Sequence, residues 1–374
     1  MSANLDPAHV AVLATTVSEY SKGAEDLTVR NRPLLSYARK YNRFQYNCSG
    51  TSSTWQVKYK QPPISQAGDD GNISFNVNTA YKQATLPWRG YQGTDRLTEL
   101  QKQMNKGLPA LINLYEGKVD ELIQSFNDTF PSQLYVDGNA SGYENAFHGL
   151  NSFTGAANSA ATNLVSNPSD SYAGLTTNLG TYGGTWTANR SSSESPQYPN
   201  ATIAKDWPWG SGTSEYDFWA PKLVNTTGTG WTGSTKFQDN CEEVINRTSL
   251  WLASTGGSDG PMLGVFGGDM FGDIRKFFAA RNRQIVPNKE ATDLGFGDTI
   301  NLNGVALIHD FDCPASSGFM FRVSAMKLKF LYSKMFEIKG PEYDIHTNSY
   351  LMLLNCYGNA QFSPKHVAKL NAYA

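Results

Sequence analysis

Charge is scarce in this chain. Asp, Glu, Lys and Arg make up only 17% of its 374 residues, against about 25% in ordinary soluble proteins. The 31 basic residues are slightly outnumbered by 33 acidic ones, for a net charge of −2. A protein whose task is to neutralise phosphates carries a basic excess, so dedicated sequence-specific nucleic-acid binding is excluded. Cysteine is scarce as well. Cys48, Cys241, Cys313 and Cys356 stand far apart with no C-x-x-C pair, which excludes a zinc ribbon or a thioredoxin-like motif and makes a reducing compartment the default. No apolar run approaches the roughly 18 residues that span a bilayer. The opening Met1-Ser-Ala-Asn-Leu-Asp6 has neither a basic n-region nor an apolar h-region. The expectation is a chain that is neither secreted by a standard signal nor embedded in a membrane. Sequons such as Asn127-Asp-Thr129 and Asn246-Arg-Thr248 are chance products of an Asn-, Ser- and Thr-rich sequence.

Catalytic motifs are missing too. There is no G-x-S-x-G elbow, Walker A loop, H-E-x-x-H helix or G-x-G-x-x-G turn, so nucleophile-elbow and phosphate-loop enzymes have no support. His309-Asp310-Phe311-Asp312, followed by Cys313, is the one cluster with ligand-like density. It ends a strand and lacks the helically spaced partners of a metal hydrolase, which favours a turn whose aspartates cap backbone N–H groups. Gly264-Val-Phe-Gly-Gly268 precedes a helix, yet Asp269 would repel an anion there. Asp69-Asp70 and Glu242-Glu243 are adjacent rather than opposed, unlike a glycosidase pair. No catalytic residue, metal or cofactor is expected.

What is present is a large apolar complement, 40% of the residues, enough for one large core or two ordinary ones. Asp6-Pro7 opens a short amphipathic helix with Val10, Leu13, Val17 and Tyr20 on one face. Residues 29–43 carry Arg30, Arg32, Arg39, Lys40 and Arg43 with no acid among them, interleaved with Leu34, Leu35, Tyr37 and Tyr41. This is a solvated helix face or an arm that lies on a polyanion or an acidic neighbour. Trp55, Val57 and Tyr59 alternate, and so do Ile73, Phe75 and Val77, with Pro62-Pro63 and Gly68-Asp-Asp-Gly71 between them. The pattern predicts a long-looped β-hairpin, and an isolated hairpin needs a surface to lie on.

A long helix is predicted next. Thr94 is its N-cap, and Leu97, Leu100, Met104, Leu108, Leu111, Tyr115, Val119, Leu122 and Phe126 form one stripe, which Pro109 and Gly117 interrupt, so a bend or a break is expected near residues 105–117. Residues 151–235 are poor in charge and hold Trp186, Trp207, Trp209, Trp219 and Trp231. These stack on sugars in a glycan-binding module or fill core and interface pockets. Two amphipathic helices follow, one from the Thr235-Lys-Phe-Gln238 capping pattern to Gly256 and one through Met270, Phe271, Ile274, Phe277, Phe278 and Ile285. Strands are predicted around Thr299–Asn303, Val305–Ile308, Gly318–Val323, Leu328–Tyr332 and Tyr350–Leu354, before a closing segment at Pro364–Leu370. Helices and strands mix without a βαβ rhythm, so the class is α+β.

Several segments carry a family resemblance. Leu86-Pro-Trp-Arg-Gly-Tyr91 leads toward the long helix, and Asp137-Gly-Asn-Ala-Ser-Gly142 with His148-Gly-Leu150 closes the helical region. Tyr216–Asn225, Leu294–Ile300 and Tyr357–Pro364 add to it. With the order of arm, projecting hairpin, long bent helix, polar α+β region and returning strand, the chain resembles the major capsid proteins of tailed bacteriophages with the Hong Kong 97-type fold. The resemblance spans essentially the whole sequence. It implies an N-terminal arm at 1–48, an E-loop hairpin at 49–92, a peripheral domain with its spine helix at 93–145, an axial domain at 146–325, and a return to the peripheral domain at 326–374.

The resemblance further implies subunits that assemble into hexamers and pentamers of an icosahedral phage head around double-stranded DNA. E-loop contacts would fall at Trp55, Val57, Tyr59, Ile73, Phe75, Trp88 and Arg89, and arm contacts to a neighbour or to DNA at Arg30, Arg32, Arg39, Lys40 and Arg43. About 48 residues precede the hairpin, too few for a fused scaffolding domain, so a separate scaffold protein is implied, along with a portal protein, a decoration protein and non-specific contact with packaged DNA. The implied location is the virion capsid, assembled in the bacterial host cytoplasm. An encapsulin-like shell, a glycan-binding module, or a metal hydrolase at His309, Asp310 and Asp312 are the other classes the sequence leaves open.

Overall fold

A computed structural model describes residues 32–59, 80–104, 108–154, 165–166, 170–177, 218–227, 231, 236–254, 261–280 and 299–372. Its longest strand, β15 (Ser349–Phe362), organises a five-stranded sheet. β4 (Arg89–Thr98) pairs antiparallel with Ser349–Gly358, and β14 (Glu337–Asp344) pairs antiparallel with Ser349–Asn355, so the two lie on opposite edges of β15. β13 (Met326–Phe330) takes Gly358–Phe362, and the short β1 (Phe44–Gln45) joins β13 in parallel.

The second sheet has seven strands in the order β10 (Thr299–Leu302), β11 (Val305–His309), β9 (Met262–Phe266), β12 (Ser317–Arg322), β16 (Val367–Asn371), β8 (Lys222–Asn225) and β5 (Val165–Ser166). Both its faces are covered. Leu263, Val265, Ala306, Ile308, Phe319 and Phe321 point into the core shared with the first sheet. Phe266, Val305, Leu307, Met320 and Leu370 point the other way, toward α4 (Phe237–Ser254) and α5 (Gly268–Ala280). Burial on both faces explains why these strands read as short continuous apolar runs rather than alternating ones. The range 326–374 thus serves both sheets, since β13 to β15 belong to the first and β16 is an interior strand of the second.

The long helix is shorter than its stripe predicts. Residues 89–98 form β4, not the start of a helix, and Thr94 pairs with Leu353. The true cap lies four residues on. Thr98 Oγ1 accepts from the Gln101 N–H and Gln101 Oε1 accepts from the Thr98 N–H, both at 3.3 Å, a reciprocal box that starts α2 (Glu99–Met104). The helix resumes as α3 (Leu108–Gln133), 26 residues or about 39 Å long, with Pro109 in its first turn, where a missing N–H costs nothing. Tyr115, Val119, Leu122, Ile123, Phe126 and Phe130 are buried along it. Each contributes about 1.5–3 kcal/mol of apolar burial.

α1 (Pro33–Lys40) buries Leu34, Leu35, Tyr37 and Ala38, so the apolar half of the basic stretch belongs to the core and not to a free arm. The hairpin is β2 (Ser52–Lys58) with β3 (Tyr81–Pro87), in register from Ser52↔Pro87 to Lys58↔Tyr81. Its second strand is therefore 81–87; Ile73, Phe75 and Val77 lie outside the described residues, as do Thr235, Ile285, the helix expected after Asp6, and Trp186, Trp207 and Trp209. Strand β14 has no counterpart in the sequence expectations, because Gly340-Pro341 reads as a break; the structure accommodates the pair at an irregularity between Lys339 and Glu342. No helix among the described residues is long and apolar enough to cross a membrane.

Candidate assembly surface

The hairpin base is seated on its own chain. Trp55 packs at 6.3 Å from Trp219, and Tyr59 at 5.6 Å from Phe218, while Lys329 lies over the Trp55 ring and donates to Ser53 Oγ at 3.0 Å. Val57 is half-buried against the same core. Trp88 Nε1 donates to the Gly50 carbonyl at 2.9 Å, closing the hairpin root.

Arg89 turns inward. Its Nη1 donates to the carbonyls of Gly138 at 2.7 Å and Ala146 at 2.8 Å, and more distantly to Tyr143. Burial lowers its pKa, partly offset by Tyr91, Glu144 and Asp137. The junction around it explains the glycines of the 137–150 segment. A Cβ on Gly138 would lie 2.7 Å from Arg89 Nη1 and 2.9 Å from His148 Nδ1, and one on Gly149 would lie 2.5 Å from the Val136 carbonyl. Backbone approach this close requires glycine. His148 is buried between them, and its backbone N–H donates to Asn359 Oδ1 at 3.0 Å, while Asn359 Nδ2 donates to the Pro87 carbonyl at 2.8 Å. Burial first, and then Arg89, depress His148 to a pKa of about 3. Hairpin root, helix exit and β15 are thus fastened at one point.

Of the basic-stretch residues, Arg30 lies outside the described residues and Arg32 is paired twice, with Asp312 at 3.0 Å and with Asp128 at 3.3 Å. The backbone carbonyl of Arg43 accepts from the Leu328 N–H at 2.8 Å. Arg39 and Lys40 are exposed on the last turn of α1.

The same ion pair explains the His309–Asp312 cluster. Asp310 accepts from the buried Tyr135 hydroxyl at 2.8 Å and from the Asp312 N–H at 3.0 Å, a turn that holds its own backbone. His309 stacks on Phe271. Among the described residues no group of three or more His, Cys, Asp or Glu is arranged to hold a metal. Trp219 and Trp231 are buried, each donating its indole N–H to a carbonyl, of Tyr172 and Asn225 respectively. Neither offers a face to a sugar.

Sequence reasoning missed an exposed apolar region at one end of the five-stranded sheet. Leu100 and Met104 are 70% and 74% exposed on α2, although the stripe counted them as buried. Ile345 (81%) and Tyr343 (49%) stand at the adjacent β14–β15 turn. The two elements are tied together, since the Glu99 N–H donates to the Asn348 carbonyl and Lys102 Nζ to the Tyr350 hydroxyl at 2.7 Å. Large apolar side chains grouped in this way mark a contact surface. The signal for it was the Thr98–Gln101 box, which would have restarted the helix and rotated its face.

Neither a protein-family model nor a curated protein matches the sequence. The fold does match solved structures. The chain is similar to one in the cyanophage A-1(L) capsid asymmetric unit, with TM-score 0.55 and 12% identity over 88% of this chain and 90% of that one. It is also similar to a chain of the capsid of an empty GTA particle, with TM-score 0.54 and 11% identity over 90% of each. A chain of the native GTA particle capsid gives 0.52 at 11% identity, over 91% of this chain and 90% of that one. The described molecule is an α+β protein with the fold of a phage capsid subunit.

Proposed function

We propose that this protein is the major capsid protein of a tailed bacteriophage, a structural subunit without catalysis that assembles through hexamers and pentamers into an icosahedral head enclosing double-stranded DNA. The observation that carries this reading is the similarity of fold to the cyanophage A-1(L) capsid chain over about nine-tenths of each chain. Two features of this chain support it independently. Large apolar side chains stand exposed on α2 and the β14–β15 turn, where only another protein surface would cover them. The scarcity of charge suits a surface engaged in contacts.

In this reading the Hong Kong 97-type parts are α3 as spine helix, β2–β3 as the base of the E-loop, and the seven-stranded sheet with α4 and α5 as the axial domain. Outward faces of Trp55, Val57 and Trp88, with Ile73 and Phe75, meet a neighbouring subunit, while Tyr59 is buried against Phe218 and holds the hairpin to its own chain. Arg39 and Lys40, with Arg30, contact a neighbour or packaged DNA without sequence preference, while Arg32, Arg43 and Arg89 position the arm and hairpin through bonds within the chain. A separate scaffold protein, a portal and a decoration protein complete the assembly in the host cytoplasm. Electron microscopy of the purified full-length chain, expressed with and without its genomic neighbours, tests this. Closed particles or rings of five and six are expected.

A further inference from the structure

Helix α4 has a second lined face. Cys241, Val244, Ile245 and Leu252 bury one side of it against the seven-stranded sheet. Asn246, Ser249 and Leu250, at helical spacing on another side, line a pocket of about 610 Å³. Met262 at the start of β9, the β10–β11 turn and Arg322 at the end of β12 close it. Small-molecule sites have volumes of about 300–1,000 Å³. The frame is preformed. Asn303 and Gly304 take φ of 51° and 81° in a tight hairpin turn between β10 and β11. Asn303 Nδ2 donates to Asn246 Oδ1 at 2.7 Å and ties that turn to the helix.

Two features of the walls narrow the ligand. The first is apolar. Leu250 is 68% exposed, although Trp251 and Leu252 beside it are buried, and Met262 and Val305 continue the wall it begins. The second is a cation without an anion. Arg322 alternates with Phe321 and shares the side of Met320, the side that α4 covers. Its guanidinium makes no hydrogen bond or ion pair among the described residues, and its Nε is buried without an acceptor. No carboxylate is among the described residues that line the pocket. The polar neighbours are already engaged, since Asn246 Oδ1 accepts from Asn303 and Ser249 Oγ donates to the Asn246 carbonyl at 2.7 Å. A guanidinium fork beside an apolar wall matches a carboxylate carried on an apolar body.

We propose that this pocket binds a small organic carboxylate with an aliphatic body, its carboxylate accepting from the Arg322 guanidinium and its body lying along Leu250 and Met262. The site belongs to the folded chain and does not depend on the assembly reading. Asp259, the one acid between Ser254 and Met262 in the sequence, lies outside the described residues and is the competitor for Arg322 within the chain itself.

Calorimetry of the full-length chain with octanoate, 1-octanol and acetate tests this. Octanoate is expected to bind saturably at a single site per chain, roughly tenfold or more tightly than 1-octanol, which lacks the charge, and than acetate, which lacks the body. Arg322→Met and, separately, Leu250→Asp should each weaken octanoate binding by roughly tenfold or more. The exposure of Leu250 leaves folding of the second variant unaffected. Asp259→Asn should bind octanoate at least as tightly as the unaltered chain. Octanoate that binds no better than acetate or 1-octanol, or that binds either of the first two variants undiminished, would overturn the proposal. Binding confined to Asp259→Asn would overturn it as well, by giving Arg322 a partner within its own chain.

Discussion

Arg89 Nη1 sits 2.7 Å from the carbonyl oxygen of Gly138, and this contact fastens the root of the hairpin to the segment that leaves α3. Removing the guanidinium strands the carbonyls of Gly138 and Ala146 in a partly buried site, at about 1–3 kcal/mol for each group left unpaired. Arg89→Met is therefore expected to lower unfolding stability by about 2–3 kcal/mol in denaturant titration. Gly138→Ala pushes a methyl against the same Nη1 atom and should destabilise as well. The two act on one contact, so the double variant should lose less than the sum of the singles.

Arg32 and Asp312 give a pH-dependent expectation. Burial and the neighbouring Asp310 raise the Asp312 pKa above its ordinary value, and Arg32 pulls it back down. In Arg32→Met the opposing charge is gone, and a half-buried carboxylate must stay ionised at neutral pH beside Asp310. The raised folded-state pKa means that this penalty is present above it and disappears as the pH falls and Asp312 takes up a proton. Urea titrations of Arg32→Met should show a larger loss relative to the unaltered chain at pH 7 than at pH 4.5. An equal loss at both would contradict the assignment.

His148 makes the opposite contribution. Its folded-state pKa of about 3 lies below the ordinary 6.5, so the unfolded chain binds the proton first. The associated stability is complete above pH 6.5 and is lost as the pH falls toward about 3, at roughly 1.4 kcal/mol per pH unit for one proton. His148→Gln should remove close to one proton from the pH dependence of unfolding in this window. The buried Nδ1 has no hydrogen-bond partner among the described residues, as befits a neutral ring.

The sequence made some elements legible and misled on others, for physical reasons. α4, α5, β10, β11 and β12 were readable because their large apolar residues are nearly all buried, Leu250 on α4 excepted, whereas β8 is too short and polar, and β9 too close to Gly267 and Gly268, to read as strands. β14 was invisible because Gly340-Pro341 is a strong breaker signal and only the pairing with β15 overrides it. The long helix began too early because Leu97, Leu100 and Met104 keep helical spacing, whereas Leu97 is buried in a strand and the other two face outward. The glycines at 138 and 149 could be noticed in the sequence, but the reason for them, the approach of Arg89 and of the Val136 carbonyl, exists only in three dimensions.

The Thr98–Gln101 box is a local device with a modest expected effect. Thr98→Ala removes the acceptor for the Gln101 N–H and should cost about 1 kcal/mol. Amide exchange is expected to rise chiefly in α2.

The exposed residues at the sheet end should separate folding from assembly. Met104→Glu and Ile345→Glu place charge on side chains that are 74% and 81% exposed in the single chain. Unfolding stability should stay within about 0.5 kcal/mol of the unaltered protein. Particle yield should collapse, because the charge would be desolvated at the contact between subunits.

The central claim is self-assembly, and electron microscopy combined with sedimentation of the unaltered full-length chain tests it most directly. The account expects closed shells, or rings of five and six subunits, in at least one expression context. A monodisperse particle of 41.1 kDa in every context would contradict it.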